Sequence, residues 1–274
     1  MDKLEFMIDT LLKENPNFNK DNILDYGNNP KKLLRALMNV REPGEISEKF
    51  LEIQDEFLKD EIQAMGITDV NDLKPVGSEG VCSVKNCDSI YLWKGDIVTI
   101  KADAIVNAAN KKMLGCRLPL HYCIDNAIHT FAGVQLRNEC HEIMEKQGHD
   151  ELTGKAKITK GYNLPSKYVI HTVGPIIYNS VKDEDISLLK SSYYESLKLA
   201  EENKLESIVF CSISTGVFNF PKELAAKIAI STVDNFLLSS KYIKKVVFNL
   251  YSEEDLQIYK KTIKAGIDEK EFSS

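Results

Sequence analysis

From Ser89 onward, short runs of β-branched and apolar residues alternate with longer stretches of helical periodicity. The runs that predict strands are Ile90–Trp93, Ile97–Ile100, Ala104–Val106, Tyr168–Ile170, Ser207–Phe210 and Lys245–Phe248. Helices are predicted between and after them over residues 124–147, 186–203, 221–238 and 253–264. This alternation is typical of a three-layer α/β/α domain with a parallel or mixed sheet. Ligands of such domains bind beyond the carboxyl ends of the strands, so we expect the site in the loops that leave them.

The first 65 or so residues follow a different pattern. Apolar residues recur at helical spacing in two groups, which are Leu4, Met7, Ile8, Leu11 and Leu12, and then Ile46, Phe50, Ile53, Phe57 and Leu58. Between Gly66 and Asp88 long apolar residues become scarce, which indicates a connecting stretch. We therefore divide the chain into a small helical N-terminal region with its linker, residues 1–80, and an α/β domain, residues 81–274.

The charge distribution argues against a nucleic-acid partner. The chain carries 41 acidic and 35 basic residues, and residues 1–87 hold 17 of the former and 11 of the latter, so the remainder is balanced. Nucleic acids select clustered Lys and Arg, whereas backbone N–H groups can hold a small phosphorylated ligand without net charge. No apolar run reaches the roughly 18 residues that span a bilayer, and the start lacks a basic leader region. We expect no membrane partner and a cytoplasmic location.

Four motifs follow predicted strands in a fixed order. They are Gly95-Asp96-Ile97, the segment from Asp103 to Asn110, the segments Gly154 to Thr159 and Tyr168 to Pro175 taken together, and Ser214 to Pro221. In this order they resemble a macrodomain over about Tyr91 to Ile263. The resemblance implies a three-layer α/β/α macrodomain with a mixed sheet, and ADP-ribose as its ligand.

The resemblance assigns parts of that ligand to particular residues. Asp96, with Ile97 beside it, would accept a hydrogen bond from the adenine amino group, because an ionised carboxylate only accepts. Asn110 would contact the distal ribose, and Tyr251 would lie against the adenine. The loop whose backbone N–H groups would close on the diphosphate consists of Ser214, Thr215, Gly216, Val217 and Phe218. Each residue taken singly also has a structural interpretation. Asp96 is then a turn acid, Asn110 a turn asparagine and Tyr251 a core aromatic, and the Ser214–Gly216 segment is a plain turn.

The loop before the predicted helix at residue 124 departs from the common macrodomain. It contains Cys116, His121 and Cys123 in a C-x4-H-x-C pattern and resembles the zinc-containing macrodomains of bacteria and fungi. Two thiolates and an imidazole suit zinc, and three protein ligands leave the fourth tetrahedral position open. Asp125 follows Cys123 by two residues. It is interpreted either as a general base or orienting group, or as an N-cap or first-turn acid of the helix.

The remaining cysteines and histidines carry weaker signals. Six cysteines in a chain of 274 residues are not the framework of a small disulfide-rich fold, so we expect thiols or metal ligands. Cys82 and Cys87 form a pair that no nearby histidine completes into a metal site. Helical and strand periodicity predicts a core position for two further cysteines. These two are Cys140 and Cys211. His129 and His171 are expected to be structural, with a supporting role behind the metal ligands as the alternative.

The resemblance implies a zinc-dependent ADP-ribosylhydrolase that removes ADP-ribose from modified protein side chains. Asp125 would take a proton and Asn110 would fix the ribose, while zinc would bind water, a ribose hydroxyl or the leaving oxygen. Two other functions are compatible with the same motifs, namely a non-catalytic ADP-ribose-binding module and an O-acetyl-ADP-ribose deacetylase. The resemblance further implies an opposing transferase and, in some bacteria, a lipoyl-carrier protein as the modified target.

Overall fold

The computed structural model describes residues 2–18, 29–80 and 82–267. Within these ranges the helices are α1 (Lys3–Glu14), α2 (Pro30–Val40), α3 (Glu48–Met65), α4 (Ile124–Ala132), α5 (Val134–Gln147), α6 (Asp183–Glu202), α7 (Lys222–Leu237) and α8 (Glu253–Ala265). The strands are β1 (Thr68–Asp69), β2 (Ile90–Lys94), β3 (Ile100–Lys101), β4 (Ala104–Ala108), β5 (Ala156–Lys160), β6 (Tyr168–Thr172), β7 (Ser207–Phe210) and β8 (Lys245–Leu250). No helix in the described ranges is long and apolar enough to cross a membrane.

A six-stranded mixed sheet forms the centre of the α/β domain. Its strand order is β2-β8-β7-β4-β6-β5, and all neighbours are parallel except β5, which is antiparallel to β6. Parallel neighbours need crossover connections, and the helices that supply them cover the sheet. The central strands β4 and β7 are accordingly buried over most of their length. The predicted fold class is confirmed.

Two predicted elements differ from the structure. Residues Ile97–Thr99, predicted as strand, form a 3-10 turn because the Asp96 carboxylate accepts a hydrogen bond from the Val98 N–H at 3.1 Å. The single helix predicted over 124–147 is broken into α4 and α5 at Gly133, whose φ of +96° is one that glycine adopts readily. The antiparallel edge strand β5 was not among the predicted strands.

The helices α1, α2 and α3 pack around a small apolar core of their own. It includes Met7, Leu37 and Phe50, all of them buried, and also Val134 from the start of α5. The helical N-terminal region is therefore present, and it is joined to the α/β domain through α5.

The connecting segment lies against α7 and α8. Cys82 and Cys87 are joined by a disulfide, which corrects the expectation that both are thiols or metal ligands. Between them, Asn86 donates from its backbone N–H to Asp234 Oδ1 at 2.8 Å, and Ser83 N–H donates to the Ile263 carbonyl at 3.0 Å. Because these bonds fold the segment back on itself, the two sulfurs meet.

Candidate active site

The strand register brings the motif residues to one edge of the sheet. Lys94 of β2 lies opposite Leu250 of β8, so Asp96 and Tyr251, which follow these strands, are neighbours at the carboxyl edge. The Ser214–Phe218 loop leaves β7, and Asn110 leaves the adjacent strand β4. Along the edge the order is therefore the two predicted adenine contacts, then the predicted diphosphate loop, then the predicted ribose contact.

At the adenine end, Asp96 and Tyr251 are accessible. Tyr251 is 83% exposed, so it is not the core aromatic that its position after β8 also allowed. Asp96 is exposed and caps the turn at Ile97 with Oδ1, and among the described residues its Oδ2 accepts no hydrogen bond. The turn acid and the adenine acceptor are thus compatible roles of one carboxylate. Ile97 is buried beneath it.

The loop after β7 offers adjacent backbone donors. Its ends are held by hydrogen bonds from Phe220 N–H to the Ser214 carbonyl, 2.9 Å, and from Asn219 N–H to the Gly216 carbonyl, 3.0 Å. Within the described chain, the N–H groups of Gly216, Val217 and Phe218 donate to no protein acceptor. Successive free N–H groups of this kind bind anions.

Gly216 contributes open space to this loop and not an unusual backbone conformation. The positive φ angles fall on Ser214, at 65°, and Asn219, at 57°. A Cβ built on Gly216 would meet nothing within 4 Å. Thr215 braces the loop through its hydroxyl, which donates to the Ser212 carbonyl at 3.0 Å. The space above Gly216 is therefore free for a ligand group.

Cys116, His121 and Cys123 meet in one cluster. One donor atom from each lies within 4.8 Å of the others, and Cys116 Sγ is 3.4 Å from His121 Nδ1. Cys123 is the N-cap of α4, and its Sγ accepts from the Asn126 N–H at 3.4 Å. Burial raises the pKa of the Cys123 thiol to about 12 despite that hydrogen bond. A metal ion would therefore bind this sulfur by displacing its proton.

The loop that carries these residues has a constrained backbone. Gly115 has a φ of +78°, and a Cβ there would lie 2.7 Å from the His129 ring, so glycine is required on both grounds. Leu120, directly before His121, has a φ of +55° despite its side chain. The cluster thus depends on a loop conformation that the rest of the protein must hold.

Asp125 lies in the first turn of α4, where it is buried and follows Cys123 by two residues. Its Oδ1 accepts from Asn107 Nδ2 at 2.8 Å and its Oδ2 from Asn110 Nδ2 at 3.1 Å. Burial raises the pKa of Asp125 to about 6, although both amide donors and Arg137 act in the opposite direction. Cys123 and not Asp125 is the N-cap. Asn110, predicted to contact ribose, also donates to the Gly115 carbonyl at 3.0 Å, so it connects Asp125 to the loop.

Asn107 was not among the residues predicted for the site, and no contact was predicted for His171 behind it. Asn107 Nδ2 donates to His171 Nδ1 at 3.1 Å as well as to Asp125, and His171 Nε2 lies 2.9 Å from the hydroxyl of Thr159. His171 is thus neutral with its proton on Nε2, and burial lowers its pKa to about 3. The signal available in the sequence is an asparagine inside a buried apolar strand, because such a group needs partners.

His129, Cys140 and His171 also bring donor atoms within 4.8 Å of one another. Both ring nitrogens of His171 already have partners, and His129 Nε2 lies 3.6 Å from Asp125 Oδ1. All three residues are buried, as is Cys211. The core positions predicted for Cys140 and Cys211 are confirmed. His171 belongs to a polar network behind Asp125, whereas neither ring nitrogen of His129 has a hydrogen-bond partner among the described residues.

Known proteins are similar to this chain in sequence and in fold. The Macro domain family matches residues 106–229. The protein-ADP-ribose hydrolase of Treponema medium is 54% identical over 93% of this chain and 96% of that protein. The protein-ADP-ribose hydrolase of Staphylococcus aureus strain MSSA476 is 49% identical over 83% of this chain and 82% of that protein. The solved Trypanosoma brucei macrodomain in complex with ADP-ribose has a TM-score of 0.63 and 28% identity, and covers 82% of this chain and 94% of its own. The chain therefore belongs to the macrodomain family.

Proposed function

We propose that this protein is a zinc-dependent hydrolase that removes ADP-ribose from modified protein side chains. The observation that carries the proposal is the position of the Cys116, His121 and Cys123 cluster beside Asp125 and Asn110, at one end of a strand edge suited to ADP-ribose. Two relatives, 54% and 49% identical, bear the name protein-ADP-ribose hydrolase, and a macrodomain of similar fold is solved with ADP-ribose.

The three donors fit zinc by their chemistry and spacing. Two sulfurs and one imidazole nitrogen within 4.8 Å are a zinc-like set, and they leave one tetrahedral position for substrate or water. Asp125 points both carboxylate oxygens at asparagine amides, so it is not a fourth ligand in this arrangement. Zinc held there would supply a Lewis acid at the distal ribose.

The chain's own residues would bind and orient the substrate. Asp96 and Tyr251 would hold the adenine, and the free N–H groups of the Gly216 loop would hold the diphosphate. Binding energy from this remote part fixes the scissile bond near Asp125. Hydrolysis adds hydroxyl to the ribose anomeric carbon and a proton to the released side chain. Asp125 would take the proton of the attacking water, and Asn110 would keep the Asp125 carboxylate directed at the ribose.

The test compares zinc content with hydrolysis of an ADP-ribosylated protein. Wild type should contain close to one zinc ion per chain, and His121→Ala should lose most of it, since three ligands hold the ion. Asp125→Asn should keep zinc but lose at least about 10²-fold in rate, the scale of general acid–base help. His149→Ala, an exposed histidine outside the cluster, is the matched control and should retain both.

Zinc-free enzyme that still binds ADP-ribose and turns over at the wild-type rate would contradict the catalytic metal. Binding without turnover would instead identify a non-catalytic ADP-ribose-binding module, and turnover of O-acetyl-ADP-ribose alone would identify a deacetylase. The family resemblance makes a lipoyl-carrier protein, modified by a partner transferase, a suitable first substrate to compare with other ADP-ribosylated proteins.

A further inference from the structure

Helix α2 of the N-terminal region touches the loop that carries the metal cluster. Arg35 donates from Nε and Nη2 to Asn126 Oδ1, at 3.2 and 2.8 Å. Asn126 is fully buried and passes these contacts on to two cluster residues, because its Nδ2 donates to the Cys116 carbonyl at 3.3 Å and its N–H to Cys123 Sγ at 3.4 Å. Arg35 thereby fixes the side chain of Asn126, which holds the backbone at Cys116, while the backbone N–H of the same residue holds the Cys123 thiol.

A second contact from α2 reaches the residue before His121. Asn39 is 1% exposed, and its Oδ1 accepts from the Leu120 N–H at 3.1 Å. Leu120 holds the positive φ that side chains disfavour. Asn39 Nδ2 donates in turn to the hydroxyl of Thr130 on α4 at 3.0 Å. Asn39 thus ties a strained position of the loop to the helix that begins at Cys123.

The end of α2 is joined to the same loop by two arginines. Arg137 on α5 donates to the carbonyls of Met38 and Arg41, at 2.7 and 2.8 Å, and to that of Leu114 at 2.8 Å. Arg117 donates to the Val40 carbonyl at 3.0 Å. The loop is therefore bound to α2 directly at Arg117 and Leu120, and at Leu114 through Arg137.

We propose that α2 is a positioning element for the metal site, in which Arg35 and Asn39 hold Cys116, His121 and Cys123 in the geometry that binds the ion. The metal part of this inference rests on the proposed function. A positioning role of α2 gives the N-terminal region a function that its separate apolar core does not suggest. Neither residue contacts the reacting atoms, so the effect is on metal affinity and loop order.

The experiment measures zinc affinity of the full chain by competition with a chromophoric chelator. Arg35→Met and Asn39→Ala should each weaken zinc binding by about 10- to 100-fold, the usual effect of removing an outer-shell partner. Arg35→Lys keeps one donor for Asn126 and should give an intermediate affinity. Lys31→Ala is the control, because Lys31 is an exposed residue of α2 that pairs with Glu61 on α3 and does not touch the loop.

Zinc affinities within about twofold of wild type in both variants, well below that outer-shell scale, would overturn the proposal. Thermal unfolding and ADP-ribose binding report whether a variant folds. If Asn39→Ala does not fold, Arg35→Met and Arg35→Lys still test the proposal, because Arg35 is only half-buried.

A second readout does not depend on zinc. In metal-free protein, the partly buried thiols of Cys116 and Cys123 should react faster with a disulfide reagent in the Arg35→Met variant than in wild type or Lys31→Ala, while the buried Cys140 and Cys211 stay unreactive. Wild type that lacks zinc or activity would contradict the proposed function alone, and equal thiol rates in all variants would contradict the positioning role alone.

Discussion

On the proposed binding mode, the Asp96 carboxylate would accept hydrogen bonds from both the Val98 N–H and the adenine amino group, and a single substitution separates these two roles. Asp96→Asn keeps an oxygen for the Val98 N–H but can turn an amide donor toward the adenine amino group. We expect ADP-ribose binding to weaken by about 1–3 kcal/mol, the scale of a lost charge-assisted hydrogen bond, with thermal unfolding unchanged. Calorimetry measures the loss.

The matched ligand for this comparison is the hypoxanthine analogue of ADP-ribose, whose ring carbonyl accepts instead of donating. It should bind Asp96→Asn better than wild type. If the ratio of the affinities for ADP-ribose and the hypoxanthine analogue were the same in wild type and in Asp96→Asn, Asp96 would only cap the turn.

At the level of single residues, the sequence predicted that Cys116, His121 and Cys123 lie together but not what lies behind Asp125. Cys116, His121 and Cys123 are close in sequence, so a short loop suffices to bring them together. Asn107 and His171 are 64 residues apart and meet only because β4 and β6 pair in one register. That register is a property of the whole sheet, which residue spacing does not contain.

Among the elements, the strands and helices of the α/β domain were predictable from periodicity, and the exceptions have local causes. A carboxylate cap converts Ile97–Thr99 into a 3-10 turn, and one glycine divides α4 from α5. The periodicity of apolar residues predicts neither the turn nor the helix break, because the first depends on a hydrogen bond to the backbone and the second on a backbone angle. The edge strand β5 has only two apolar residues, Ala156 and Ile158, which are too few to give a clear signal.

The junction between α3 and α5 depends on one buried side chain. Gln54, with no exposed surface, accepts from the Val134 N–H at 3.0 Å and donates to Gln135 Oε1 at 2.7 Å, where Gly133 offers no side chain to cap α5. Gln54→Ala leaves a buried N–H unpaired, so the free energy of unfolding should fall by about 1–3 kcal/mol in urea titration. Gln63→Ala, exposed on the same helix, should change it by less than about 0.5 kcal/mol. Similar losses in both variants would contradict a role for the Gln54 contact.

For the whole molecule, burying His171 makes stability depend on pH. In the unfolded chain its pKa is about 6.5, whereas burial lowers the folded pKa to about 3. Above pH 6.5 neither state is protonated. As the pH falls below that value, the unfolded state binds a proton that the folded state does not. The free energy of unfolding should therefore fall by up to about 1.4 kcal/mol per pH unit until the folded pKa is reached.

Urea titrations at pH 7, 6 and 5 measure this contribution. The decline should be shallower in His171→Asn than in wild type, whereas the exposed His149→Asn should leave the slope as it is. An unchanged slope in His171→Asn would mean that His171 accepts a proton in the folded protein without loss of stability.

The strand order has a consequence for which substrates can react. From β2 to β4 the sheet spans three interstrand steps, which at about 4.8 Å each amount to roughly 14 Å. On the proposed binding mode, a molecule anchored by its adenine presents to Asp125 only the bond that lies at that reach. The enzyme would then select its substrates by the distance from the adenine to the scissile bond and not by the attached protein. Unrelated polypeptides that carry ADP-ribose would be aligned in the same way.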